Sequence, residues 1–118
     1  MERIREVGRR GELIASKHLA ALGYEIRGRN ISIGRDEIDI LAFDPEDQVL
    51  VFAEVKTRSR DDRDFRPELN VDARKLSALR RAARAWVDVH AYEGGFRIDL
   101  VCVAHSRVSG HIRELAWE

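Results

Sequence analysis

An α/β fold built on one mixed five-stranded sheet is what this chain predicts, and three observations carry the expectation. Residues 48–56 read QVLVFAEVK, with Leu50, Phe52, Glu54 and Lys56 alternating against Val49, Val51, Ala53 and Val55 in the period-two manner of a strand. Residues 7–22 and 71–90 instead carry apolar side chains at helical spacing. Strand-like runs at 24–30, 37–43, 96–103 and 111–117 complete the order helix, three strands, helix, two strands (α-β-β-β-α-β-β).

Leu13, Ile14, Leu19 and Leu22 define the apolar stripe of the first helix, with helix-favouring Ala15, Ala20 and Ala21 and a Gly23 suited to its C-terminal cap. Gly8 and Gly11 read as a flexible entry. Glu12 lies in the first turns and shares a face with Ala15 and Leu19. The strand at 24–30 leads through a short loop containing Gly34 into 37–43, and Asp44-Pro45-Glu46-Asp47 has the composition of a hairpin turn into 48–56. Residues 57–70 hold four basic and four acidic residues, Pro67 and little periodicity, and read as a loop.

In the second helix Leu76, Leu79, Ala83 and Trp86 form the stripe, Asn70 is the candidate N-cap, and Gly94-Gly95 ends the connection. As a crossover, this helix makes the Glu54 strand parallel to the strand at 96–103. Ser109-Gly110 reads as the turn into the last strand.

Composition bounds the rest. One domain, 1–118, with 44% hydrophobic and 36% charged residues is an ordinary globular chain with a single core. Its longest apolar run, 49–53, falls far short of the ~20 residues that a bilayer-crossing helix needs, and no apolar stretch follows the opening MERIREVGRR as a secretory signal requires. A single cysteine, Cys102, fits a reducing compartment and a cytoplasmic location, as a small buried hydrophobe rather than a nucleophile. His18, His90, His105 and His111 lack metal-ligand spacing, and no phosphate-cradling glycine loop is present. Trp86 and Trp117 sit in apolar patterns and read as core.

The chemistry concentrates on Asp39, Glu54 and Lys56. A lone Glu-x-Lys on a strand is most often an exposed ion pair. Here Asp39 stands between Ile38 and Ile40 on the neighbouring strand, and a carboxylate in such a run needs a partner because an isolated buried charge is costly. From 36 to 54 there are seven acidic residues and no basic one; turn solvation accounts for Asp44, Glu46 and Asp47, not for Asp39. Either a divalent cation or Lys56 would serve, and two carboxylates with an ammonium at adjacent strand ends suit metal-assisted phosphodiester cleavage. From 56 to 84 ten basic residues face five acidic ones, a flank fitted to a polyanion or, equally, a solvated face laced with ion pairs.

Gly8-x-x-Gly-Glu12, Gly23-Tyr24, Arg29-Asn30, Glu37-Ile38-Asp39-Ile40, the run VFAEVKTR at 51–58, Lys75 and Phe96-Arg97-Ile98-Asp99 together resemble the YraN family of small bacterial proteins, which is itself similar to the PD-(D/E)xK nucleases and to archaeal Holliday junction resolvases. The resemblance implies a restriction-endonuclease-like core. It also implies a metal-dependent nuclease acting on nucleic acid, on DNA and on branched DNA in particular, with Mg2+ or Mn2+ as cofactor and no membrane partner. Asp39, Glu54 and the Val55 carbonyl would hold the metal, Lys56 would activate water or offset charge on phosphorus, and Glu12 would bind through water or orient the nucleophile. Arg58 and Lys75 would contact phosphates from the basic flank. Glu37 reads as an accessory acid or as a solvated strand end.

Two positions depart from the family pattern: Asp36 adds charge at the mouth of the site where a glycine is usual, and Phe65-Arg66-Pro67 replaces a small loop. A homodimer is expected by analogy with the resolvases, with Ile112, Leu115, Ala116 and Trp117 available for contact. The competing expectation is a nucleic-acid-binding or protein-interaction module that keeps the scaffold without turnover.

Overall fold

A computed structural model describes residues 2–58 and 72–115, with side chains from residue 8 onward. Helix α1 (Glu2–Ala21) is followed by strands β1 (Glu25–Ile33), β2 (Asp36–Asp44) and β3 (Val49–Arg58), helix α2 (Ala73–Val89), and strands β4 (Gly95–Ala104) and β5 (Arg107–Ile112). The strands form one sheet in the order β1-β2-β3-β4-β5, antiparallel throughout except for the parallel pair β3–β4. The expected element order, mixed sheet and crossover are all present.

Period two sorts the strand residues onto two faces. Ile40, Ala42, Val51, Ala53, Val101 and Val103 pack with Ala15 and Leu19 of α1, whereas Leu41, Leu50, Phe52 and Ile98 pack with Leu79, Ala82 and Ala83 of α2. Burial on both faces explains why β3 and β4 read as nearly continuous apolar runs. Cys102 is buried in β4, as its composition suggested, and Trp86 packs edge-on against Phe52.

Several local expectations give way. Helix α1 begins at Glu2, so Gly8 and Gly11 lie inside it rather than at a flexible entry. Gly11 is buried because the helix presses on β3 there: an added Cβ would fall 2.0 Å from the Thr57 hydroxyl oxygen and 3.0 Å from two further Thr57 atoms. The buried stripe of α1 runs through Ala15 and Leu19, leaving Leu13 and Leu22 exposed. At its end Gly23, at φ 96°, lets the Tyr24 amide reach the Leu19 carbonyl, a left-handed cap in which glycine costs least.

The N-cap of α2 is Asp72, whose carboxylate accepts from the Lys75 amide; the expected cap Asn70 lies outside the described residues, as do Phe65-Arg66-Pro67 and Trp117. Strand β5 starts at Arg107, four residues before the expected one. The turn is made by His105 and Ser106, both at positive φ, and Ser109 and Gly110 are strand residues. A two-residue hairpin needs left-handed backbone, usually signalled by Asn-Gly; His-Ser carries no such signal.

Asp44 is not a solvated turn residue. It is 2% exposed, its Oδ1 accepts from the amides of Glu46 and Asp47, and its Oδ2 accepts from Arg97 at 2.9 Å. Arg97, on β4, also pairs with Asp99 and Asp47 and donates to the Tyr24 hydroxyl. Asp99 contacts His111, which in turn contacts His18 of α1. This network ties β4, the β2–β3 turn, β5 and α1 together at one end of the sheet. Leu115 packs inside the chain, onto the α2-side core. Among the described residues no helix is long and apolar enough to cross a membrane.

Candidate metal centre

The site exists because β2 and β3 part company. Their ladder runs from Asp44 opposite Val49 to Ile40 opposite Ala53 and stops. Beyond it β2 stays paired with β1 as far as Asp36, while β3 stays paired with β4 as far as Arg58. Asp39 and Glu54, the first residues past the break, stand at the opening of this fork. Asp39 also closes it, since its Oδ2 accepts the Val55 amide at 2.9 Å where a backbone carbonyl would otherwise do so.

Each helix adds a charge from its own side. Glu12 of α1 meets Glu37 and Asp39 of β2, and the three place a carboxylate oxygen apiece within 4.8 Å of one another. Lys75, in the first turn of α2, reaches the buried Glu54: its Nζ lies 3.1 Å from Oε2, and Lys56 Nζ lies 3.6 Å from the same oxygen. The sequence placed Lys75 on a basic flank away from the acids; in the structure it belongs to their centre. The signal lay in the topology, because the first turn of a crossover helix sits over the carboxyl end of the strand before it.

Like charges at short range leave their mark on proton affinity. Burial, and after it the nearby Glu54 carboxylate, push Asp39 up to about 7, against the pull of the Val55 amide. Burial also raises Glu12, opposed by its hydrogen bond with Asn30 and reinforced by Glu37. Asp36 behaves differently. Arg81 grips it with two 2.8 Å bonds and holds its carboxyl below the ordinary range, so the extra charge at the mouth is already balanced.

Of the anticipated residues, Glu12, Asp39, Glu54, Lys56 and Lys75 come together. Glu37, left open between two roles, joins the acid group while remaining exposed. Val55 engages the site through its amide. Arg58, at the last position of β3, lines a separate cleft with Arg10 and His105. Three converging carboxylates, all hard oxygen donors, suit Mg2+ or Mn2+ and not a soft-ligand metal. Burial raises Asp39 and Glu12 and the neighbouring carboxylates add to it; a bound cation would offset both effects.

Residues 11–103 match the family described as Uncharacterised protein family UPF0102, the YraN family. The chain belongs to this family. A UPF0102 protein of Porphyromonas gingivalis is 40% identical over 99 residues, 84% of this chain and 71% of its own length. One from Streptomyces coelicolor is 44% identical over 100 residues, covering 82% and 75%. One from Parafrankia is 40% identical over 108 residues, covering 91% and 88%. The matched segment of the UPF0102 family runs from Gly11 to Val103 and so includes every residue of the acid group and both lysines.

Proposed function

We propose that the protein is a metal-dependent nuclease that hydrolyses phosphodiester bonds, in DNA and including branched DNA. One observation carries the reading: the Glu12, Glu37 and Asp39 carboxylates converge within 4.8 Å beside a buried Glu54 that two ammonium groups contact. An acid cluster alone is common on surfaces. Acids at a strand fork, one of them, Asp39, with proton affinity raised to about 7 and another, Glu54, held by two lysines, make a more specific arrangement.

In this reading Asp39, Glu12 and Glu54 hold the metal, with Glu37 as an accessory acid. When bound, the cation supplies positive charge at the scissile phosphate and lowers the pKa of water. The chain's own groups do the rest. Lys56 orients the attacking water and offsets the charge that builds on the phosphoryl oxygens. Lys75, whose Nζ lies beside Glu54, would supply a second ammonium to the phosphate. Asp39 keeps its bond to the Val55 amide, which fixes the carboxylate while it coordinates. The α2 residues Arg74, Arg80 and Arg84 extend positive charge away from the site along one helix, where a polyanion's neighbouring phosphates would lie.

Calorimetry with Mn2+ tests the reading. The wild type should bind the ion, and Asp39→Ala should lose that binding while keeping its fold. DNA binding that is equally tight with and without metal, with no loss in Asp39→Ala, would instead favour a binding module without turnover.

A further inference from the structure

On the α1 face, beside the acids, the chain forms a second concavity of opposite character. It is a cleft of about 120 Å³ between α1, the end of β3 and the β4–β5 turn. Ile14 and Val103 make an apolar floor, and the close meeting of Gly11 with Thr57 forms one wall. Arg10, Arg58, His105 and Ser106 make the rim. No carboxylate lines it among the described residues, although Gly11 is the direct neighbour of Glu12.

Size and lining select the ligand. At about 30 Å³ per water the cleft has room for roughly four, far below the ~300 Å³ of a small-molecule pocket. That space accommodates one tetrahedral oxyanion. The Arg10 guanidinium offers forked donors matched to phosphate oxygens, and the Thr57 and Ser106 hydroxyls add two more. The rim is also held in shape: His105 and Ser106 adopt φ 55° and 60°, a fixed two-residue turn, and the absent Cβ of Gly11 lets Thr57 seat against the helix.

We propose that this cleft binds a single phosphate group of a nucleic-acid strand, distinct from the phosphate at the acid group. Thr57 lies three residues past Glu54 on β3, about 10 Å along the strand, so both sites are within reach of one nucleic-acid strand. Only the identity of the ligand as a nucleic-acid strand rests on the nuclease reading.

The test is a titration of isotope-labelled, metal-free protein with inorganic phosphate, followed by backbone amide shifts. Saturable shifts at Gly11, Thr57, His105 and Ser106 are expected, weakened about tenfold in Arg10→Ala and in Ser106→Asp, as loss of one charge-assisted bond implies. Both positions are exposed and both replacements suit the local backbone, and unchanged shifts elsewhere confirm the fold. Absence of saturable shifts, or affinity untouched in both variants, overturns the proposal. A second arm compares short single strands ending in a 5′-phosphate or a 5′-hydroxyl. Tighter binding of the phosphorylated strand, lost in Arg10→Ala, assigns a terminal phosphate; equal binding that both variants weaken assigns an internal one; strand binding that neither variant alters overturns the site. Phosphate held here by a protein that never cleaves would end the nuclease reading alone, and cleavage without phosphate binding would end the cleft alone.

Discussion

Lys75 Nζ stands 3.1 Å from Glu54 Oε2, nearer than the 3.6 Å of Lys56, the lysine two residues along the same strand. A buried carboxylate is thus shared, on one oxygen, by ammonium groups from β3 and α2, and a cation drawn to Glu54 competes with both. Lys75 is the more exposed of the two, at 40% against 29%, and so the cheaper to release.

Lys75→Met should therefore tighten Mn2+ binding while slowing any cleavage. Removing a competing, partly exposed ion pair is worth about 0.5–1 kcal/mol, or roughly a twofold to fivefold gain in affinity. Titration calorimetry on the variant checks this, and weaker metal binding would mean that Lys75 supports the site in some other way.

Asp39→Asn should make the metal-free protein more heat-stable at neutral and alkaline pH. The folded Asp39 carboxyl is raised to about 7 from an ordinary 3.8. Its stabilising contribution is then complete below about pH 4 and is lost as the pH climbs to about 7, where the site must hold an unwelcome charge. An uncharged amide avoids that loss. Melting curves in chelator should show wild type and variant diverging between about pH 4 and 7, by about 4 °C for each kcal/mol relieved; curves that stay parallel would show that Asp39 titrates normally.

Gly11→Ala should destabilise the fold and misplace Glu12. Alanine favours a helix by about 1 kcal/mol over glycine, but overpacking costs about 1–3 kcal/mol, and the new Cβ meets three Thr57 atoms at 3.0 Å or less, one of them the Thr57 Cβ, which no rotamer change moves. Packing wins. Urea denaturation of Gly11→Ala and of Gly11→Ala with Thr57→Gly gives the answer: the second change should recover much of the loss, and an alanine variant at least as stable as wild type would refute the close contact.

Arg97→Met should cost about 3–5 kcal/mol, because the buried carboxylates of Asp44 and Asp99 lose the guanidinium they share and are left with the half-exposed Arg113 and the His111 ring beside them. That exceeds the about 1.5–3 kcal/mol of burying one core side chain such as Leu50. Chemical denaturation showing a loss under about 1 kcal/mol would mean that the network is dispensable.

Legibility followed locality. The alternation in QVLVFAEVK announces β3, and the apolar run around Asp39 announces its neighbour, so the sequence alone sets the two carboxylates side by side. The left-handed cap at Gly23 carried its own residue signature. What escaped depended on contacts distant in sequence. Nothing near Gly11 tells that Thr57 presses on it, nothing near Asp44 tells that Arg97 buries it from 53 positions away, and the His105-Ser106 turn takes its left-handed backbone from the pairing of β4 with β5 rather than from favourable residues. The place of Lys75 was recoverable from the crossover topology but not from charge counting, which set it among the flanking basic residues.

Cleavage itself is the decisive measurement. Purified wild type and Asp39→Ala should be incubated with labelled four-way junction, flapped, duplex and single-stranded DNA in Mg2+ and in Mn2+. The account predicts metal-dependent products from the wild type and a loss of about 100- to 1000-fold in the variant. A wild type that binds metal but cuts none of these substrates, or an Asp39→Ala variant that cuts as fast as wild type, would contradict it.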